Sequence, residues 1–125
     1  MRVAMDANAL MLPVEFGVRV FHELEGLLGD CEPVVPESVR AELETLAASG
    51  GEEGTAASVA ADLADRCESV STEESYADDA LYALATDGDV DAVATNDAPL
   101  KERLLDAGVP VIHLRGRNQL TITQP

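Results

Sequence analysis

Short apolar runs alternate, five times over, with longer stretches whose apolar residues fall at helical spacing, and no other feature of the chain restricts its fold as tightly. The strand-like runs are RVAM (2–5), EPVVP (32–36), ESVST (68–72), DAVAT (91–95) and PVIHL (110–114). The spacing predicts helices over 14–28, 37–49, 55–67, 76–86 and 98–108, with SGGEEG (49–54) as a flexible loop and QLTI as a short added strand. Runs that are apolar throughout require cover on both faces, so the pattern predicts a mostly parallel sheet between two layers of helices. With 125 residues and no dividing linker or repeat, the chain is expected to form one domain, 1–125.

Open α/β sheets bind ligands in the crevice outside the carboxyl ends of their strands. Asp6 and Asn8 follow the first run, and Thr95, Asn96 and Asp97 follow the fourth. Asp78 and Asp79 open the helix that follows the third. After the second run, Val39, Glu42, Leu43 and Leu46 fall at i, i+3, i+4 and i+7, which sets a carboxylate on the stripe a helix turns to its core. Each acid also has a structural reading. Asp6 suits an Asx turn, Glu42 a stripe edge that reaches water, Asp78 and Asp79 a first helical turn, and Asp97 an N-cap ahead of Pro99.

Taken together, a pocket lined only by carboxylates suits a hard cation, Mg²⁺ or Mn²⁺. Such ions position and deprotonate a water for attack on a phosphodiester. Other phosphate chemistries fit less well. An aspartyl nucleophile wants a second acid where Asn8 stands, and neither a P-loop nor a G-x-S-x-G elbow is present. The two histidines, His22 and His113, fall in a helix and a strand.

Charge bears on the partner. The 24 acids against 8 basic residues give a formal charge of −16, which repels nucleic acid at long range. In concentrated salt that repulsion is screened within about 3 Å at 1 M. An acid-rich surface with one lysine is therefore read as salt adaptation, and it does not exclude RNA. Half of the basic residues, Lys101, Arg103, Arg115 and Arg117, crowd into the stretch after the fourth run and are the candidate RNA contacts. Cys31 and Cys67 lack C-x-x-C spacing and are expected as reduced thiols. No signal segment or membrane-length apolar run is present, so a cytoplasmic location is expected.

The stretches MDANAL, VPESVRAEL, YADDALYALA and VATNDAPLKERL resemble, in order, the four acidic motifs of the PIN-domain nuclease family. The spacing from VATND through LLDAGVPVIHLRGR is most similar to an archaeal branch related to the eukaryotic ribosomal-RNA-processing PIN proteins of the small-subunit processome. The resemblance implies a three-layer α/β domain with a five-stranded parallel sheet of order 3-2-1-4-5, and Mg²⁺- or Mn²⁺-dependent cleavage of single-stranded or structured RNA. It implies Asp6, Glu42, Asp79 and Asp97 as catalytic metal ligands, with Asn8, Thr95 and Asn96 in support. Ala7 departs from the Thr or Ser usual in the first motif. Periodicity alone leaves Asp78 and Asp79 open. The resemblance favours Asp79 and leaves Asp78 as a nearby, metal-linked carboxylate. The implied roles are an endoribonuclease of ribosomal RNA processing, the toxin of a toxin-antitoxin pair, or a non-cleaving RNA-binding scaffold. The implied partners are RNA, a second copy of the chain, an antitoxin or a ribosome-assembly protein.

Overall fold

Five parallel strands carry the molecule: β1 (Arg2–Met5), β2 (Glu32–Pro36), β3 (Glu68–Val70), β4 (Ala92–Ala94) and β5 (Val111–Arg115). The computed structural model describes all 125 residues. The sheet order is 3-2-1-4-5, extended by a sixth strand, β6 (Gln119–Thr123), which runs antiparallel to β5. The expected sheet of five strands therefore has six, because QLTI folds back on β5 through a turn at Gly116, whose φ of 64° is open to glycine. This hairpin covers an edge that β5 would otherwise leave unpaired.

The helices are α1 (Ala7–Phe16), α2 (Val20–Leu28), α3 (Glu37–Ala47), α4 (Gly51–Ala64), α5 (Ala77–Thr86) and α6 (Ala98–Asp106). Right-handed crossovers put the helices after β1 and β2 on one face and those after β3 and β4 on the other, because the strand order reverses between β1 and β4. Accordingly α4 packs on α1 and α3, while α5 lies across β1, β2 and β4 and meets α6. The core between the layers is aliphatic, with Met5, Leu10, Leu24, Leu43, Leu81, Leu104 and Ile112 its largest fully buried side chains.

Two boundaries differ from the sequence-based expectation. The predicted helix over 14–28 is two helices, and the first starts seven residues earlier, directly after β1. Its opening turns, from Ala7 to Leu12, are apolar on nearly every side and show no amphipathic period, which is why periodicity passed over them. Gly17, with φ 68°, ends α1 and lets the chain turn into α2. The predicted loop over 49–54 is mostly helix, since α4 begins at Gly51 with Glu52 and Glu53 in its first turn, where the helix dipole favours acid. Gly54 is buried there, and a Cβ on it would sit 3.2 Å from the Ala47 carbonyl oxygen of α3. Close approach of α3 and α4, rather than flexibility, explains that glycine.

At the amino edge of the sheet, Arg2 pairs with Glu32 and Glu68 and so joins the starts of β1, β2 and β3. Asp91, which reads in the sequence as surface charge, accepts the Arg2 backbone N–H at 2.8 Å. Cys31 and Cys67 are free and half-buried, and burial pushes the Cys67 thiol up to about 11, which leaves it unreactive near neutral pH. No helix is long and apolar enough to cross a membrane.

Candidate functional site

The reversal of strand order opens a crevice between the carboxyl ends of β1 and β4, and Asp6 sits in it. Its backbone N–H donates to Ala94 O at 3.1 Å, which holds the two strand ends together. The side chain is only 5% exposed. Oδ1 accepts the Ala9 N–H at 2.7 Å, so Asp6 is the N-cap of α1, and Oδ2 accepts the hydroxyl of Thr95. The Thr95 oxygen in turn accepts the Asp97 N–H at 3.1 Å. Asp97 caps α6, with Oδ2 accepting the Leu100 N–H at 3.0 Å ahead of Pro99. Two helices thus start side by side from aspartates that share one buried hydroxyl.

Burial pushes the Asp6 carboxyl from its ordinary 3.8 to about 7, against the opposing hydrogen bonds from Thr95 and Ala9 and with a further push from the charges of Asp78 and Glu42. Glu42 is raised by loss of solvent and then by Asp78. Asp78 is raised by loss of solvent, then by Asp97 and Asp79, while Arg103 pulls it down. Asp78 therefore links the group at one edge of the sheet, its charge felt by Asp6 and Glu42 and its own carboxyl feeling Asp97 and Asp79. These acids surround that edge without closing on a point, and no three His, Cys, Asp or Glu side chains stand in ligating geometry.

Several expectations need correction. Glu42 is exposed at the margin of its apolar stripe rather than turned into the core; Val39 and Leu43 fill the core instead. Asn8 is exposed and does not orient Asp6, a task that falls to the Ala9 amide and Thr95. Asn96 braces the sheet, its Oδ1 accepting the Leu114 N–H at 2.8 Å. Asp79 pairs with Arg103, whose guanidinium lies 2.8 Å from its Oδ1 and 4.0 Å from the centre of the Tyr82 ring, while the Asp79 charge still raises Asp78. Asp78, not Asp79, is thus the carboxylate that the raised Asp6 and Glu42 feel. Arg103, expected at the RNA, is committed within the protein. Lys101, Arg115 and Arg117 take no part in the four ion pairs, which join Arg2 to Glu32 and Glu68, Arg40 to Asp65, and Arg103 to Asp79.

Sequence reasoning missed Ser38. Its hydroxyl is the one buried side-chain polar atom without a hydrogen-bond partner, and at i−4 it shares a face of α3 with Glu42. A serine one turn before a suspect glutamate was the available signal.

Residues 3–117 match the family described as PIN like domain. The chain belongs to that family. Among PIN proteins it is 29% identical over 125 residues to ribonuclease VapC4 of Methanocaldococcus jannaschii, covering 97% of this chain and 95% of that one. It is 32% identical over 117 residues to the rRNA-processing protein FCF1 of Saccharomyces cerevisiae, covering 92% of this chain but 60% of FCF1. The solved structure of the PIN domain endonuclease Utp24 superposes with a TM-score of 0.81 at 26% identity, over 99% of this chain and 92% of that one. The three-layer PIN fold expected from the acidic motifs is the one observed.

Proposed function

We propose that this PIN protein is a Mg²⁺- or Mn²⁺-dependent endoribonuclease that cuts phosphodiester bonds in RNA, with ribosomal RNA processing as its role and the cytoplasm as its place. The observation that carries the reading is the gathering of Asp6, Glu42, Asp78 and Asp97 at the strand-order reversal. Similarity to FCF1 and to the endonuclease Utp24 supports the role.

The donor set fits a hard divalent cation: it is all carboxylate, and loss of solvent, with like charge adding to it, raises each of Asp6, Glu42 and Asp78, which a bound cation would offset. These three and Asp97 would hold it. The cation supplies the charge that activates water and neutralises phosphodiester oxygens. Thr95 and the Ala9 amide hold the two Asp6 oxygens in place, and the paired N-termini of α1 and α6 turn their positive dipole ends to the same crevice. Lys101, Arg115 and Arg117 would hold RNA phosphates. The acid excess fits work in concentrated salt, where screening lets RNA approach.

The test is cleavage of labelled structured RNA in high salt with Mn²⁺ or EDTA. Wild type cuts only with Mn²⁺, Asp6→Asn does not cut, and Asp78→Asn loses more activity than Asp79→Asn. Full activity in both Asp78→Asn and Asp79→Asn defeats the site. A toxin ribonuclease held by an antitoxin is the second reading, favoured by the near end-to-end match to ribonuclease VapC4. Growth arrest on expression, abolished by Asp6→Asn, would select it.

A further inference from the structure

The chain has four aromatic side chains, two Phe and two Tyr, and they divide by surroundings. Phe21 lies under the Arg66 guanidinium at 5.0 Å and Tyr82 under that of Arg103 at 4.0 Å. Tyr76 and Phe16 have no such partner and are 77% and 52% exposed. For a protein that builds its core from aliphatic residues, leaving a phenylalanine half in water at a helix end costs apolar burial and gains nothing within the fold.

Phe16 lies at one end of a groove of about 470 Å³. Asn8, Leu12, Glu15 and Phe16 line one wall from a single face of α1, and Asn96 and Lys101 contribute from the other. The groove starts two residues from Asp6 and one from Asp97, and it runs about 12 Å along α1 at the helical rise. Its lining combines an aromatic face, side-chain amides, one cation and one acid, Glu15. Asn96 spends its Oδ1 on Leu114 N–H, which fixes the amide and leaves Nδ2 to donate. Asn8 makes no hydrogen bond within the chain and keeps both donor and acceptor. In the neutral His113 ring, Nδ1 must carry the hydrogen, since its partner is the Leu114 carbonyl, and Nε2 faces the Thr123 hydroxyl at 2.6 Å. The imidazole is thereby locked as groove wall.

We infer that this groove receives unpaired nucleotides beside the cleaved phosphodiester, with one base stacked on Phe16, its edge within reach of the Asn8 and Asn96 amides, and a phosphate on Lys101. An aromatic platform beside a cation in a groove is how single-stranded nucleic acid is held without a duplex. The volume suits one or two nucleotides, not a protein helix. A duplex keeps its bases stacked on one another and offers none to Phe16. The inference rests on the nuclease reading and adds the side chains that hold the strand beside the cut.

The experiment is fluorescence anisotropy in EDTA with fluorescein-labelled oligoadenylate and oligouridylate, and with a labelled RNA duplex. Phe16→Ala is expected to weaken binding of the single strands about ten-fold. Phe16→Tyr keeps wild-type affinity, and duplex binding is unchanged in both variants. Because Phe16 is half-exposed at a helix end, Phe16→Ala leaves the core intact. Quenching of 2-aminopurine in the single strand on wild type, lost on Phe16→Ala, reports the stack itself. Equal single-strand affinity in wild type and Phe16→Ala, with Asp6→Asn still abolishing Mn²⁺-dependent cleavage, overturns the groove and leaves the nuclease reading standing. Equal losses on single strand and duplex also overturn it. Failure of the wild type to bind or cut any RNA overturns both.

Discussion

Replacing Asp6 by asparagine should make the metal-free protein more stable at pH 8 and leave it unchanged at pH 4. The folded carboxyl titrates near 7 against an ordinary 3.8, because burial penalises its charged form. A raised carboxyl pKa means that the folded state holds the proton where the unfolded state has lost it. Its unfavourable contribution is therefore absent below the unfolded value, grows as pH rises, and is complete above about 7. A gap of roughly three pH units at about 1.4 kcal/mol each bounds the cost near 4 kcal/mol. Asparagine keeps the geometry, with Oδ1 toward Ala9 N–H and Nδ2 toward the Thr95 oxygen, and it is neutral at every pH, as the protonated acid is. A net gain of about 2–3 kcal/mol at pH 8 is expected, or roughly 6–12 °C in Tm for a domain of this size. Thermal melts in EDTA from pH 4 to pH 8 measure it, and Mn²⁺ should narrow the difference by stabilising only the wild type. An equal gain at both pH values, or none at pH 8, would refute burial of charge as the cause.

Thr95→Val removes the hydroxyl that bonds Asp6 and accepts the Asp97 N–H; urea melts should show a loss of about 2–3 kcal/mol. The Asp6 titration, followed by carbon NMR, should move further upward, since that bond lowers it. Gly54→Val forces a branched side chain against the Ala47 carbonyl and should cost about 1–3 kcal/mol, read as a lower Tm with an unchanged metal response. Arg115→Ala with Arg117→Ala should lower the slope of log affinity against log salt by about one for single-stranded RNA; an unchanged slope would remove these residues from the RNA contact.

Alternating runs made the sheet and its layers legible, since each strand buried on both faces must read as apolar. The order of the strands came with the resemblance and not with the periodicity. The apolar start of α1 was hidden because a helix covered all round has no stripe, and the start of α4 was hidden because its first turn is glycine and glutamate. Asp6, Thr95 and Asp97 were legible from their places after strands. The direction of Asp79 was not, because both faces near it are small and apolar, and a salt bridge to Arg103, 24 residues on, decides it. Glu42 matched a core stripe whose margin, in the fold, lies open to water.

The shared cap of α1 and α6 has a consequence for reading other chains of this fold. Asp97 holds a helix start, a task worth about 0.5–2 kcal/mol, so selection for folding alone preserves it after cleavage is lost. The Glu42 and Asp78 side chains make no hydrogen bond within the chain and stand where loss of solvent, and then like charge, disfavours their charged forms. Nothing in the architecture rewards keeping them, which on the proposed nuclease reading makes these two positions, rather than the capping Asp97, the diagnostic pair for telling a working nuclease from a protein that has kept only its shape.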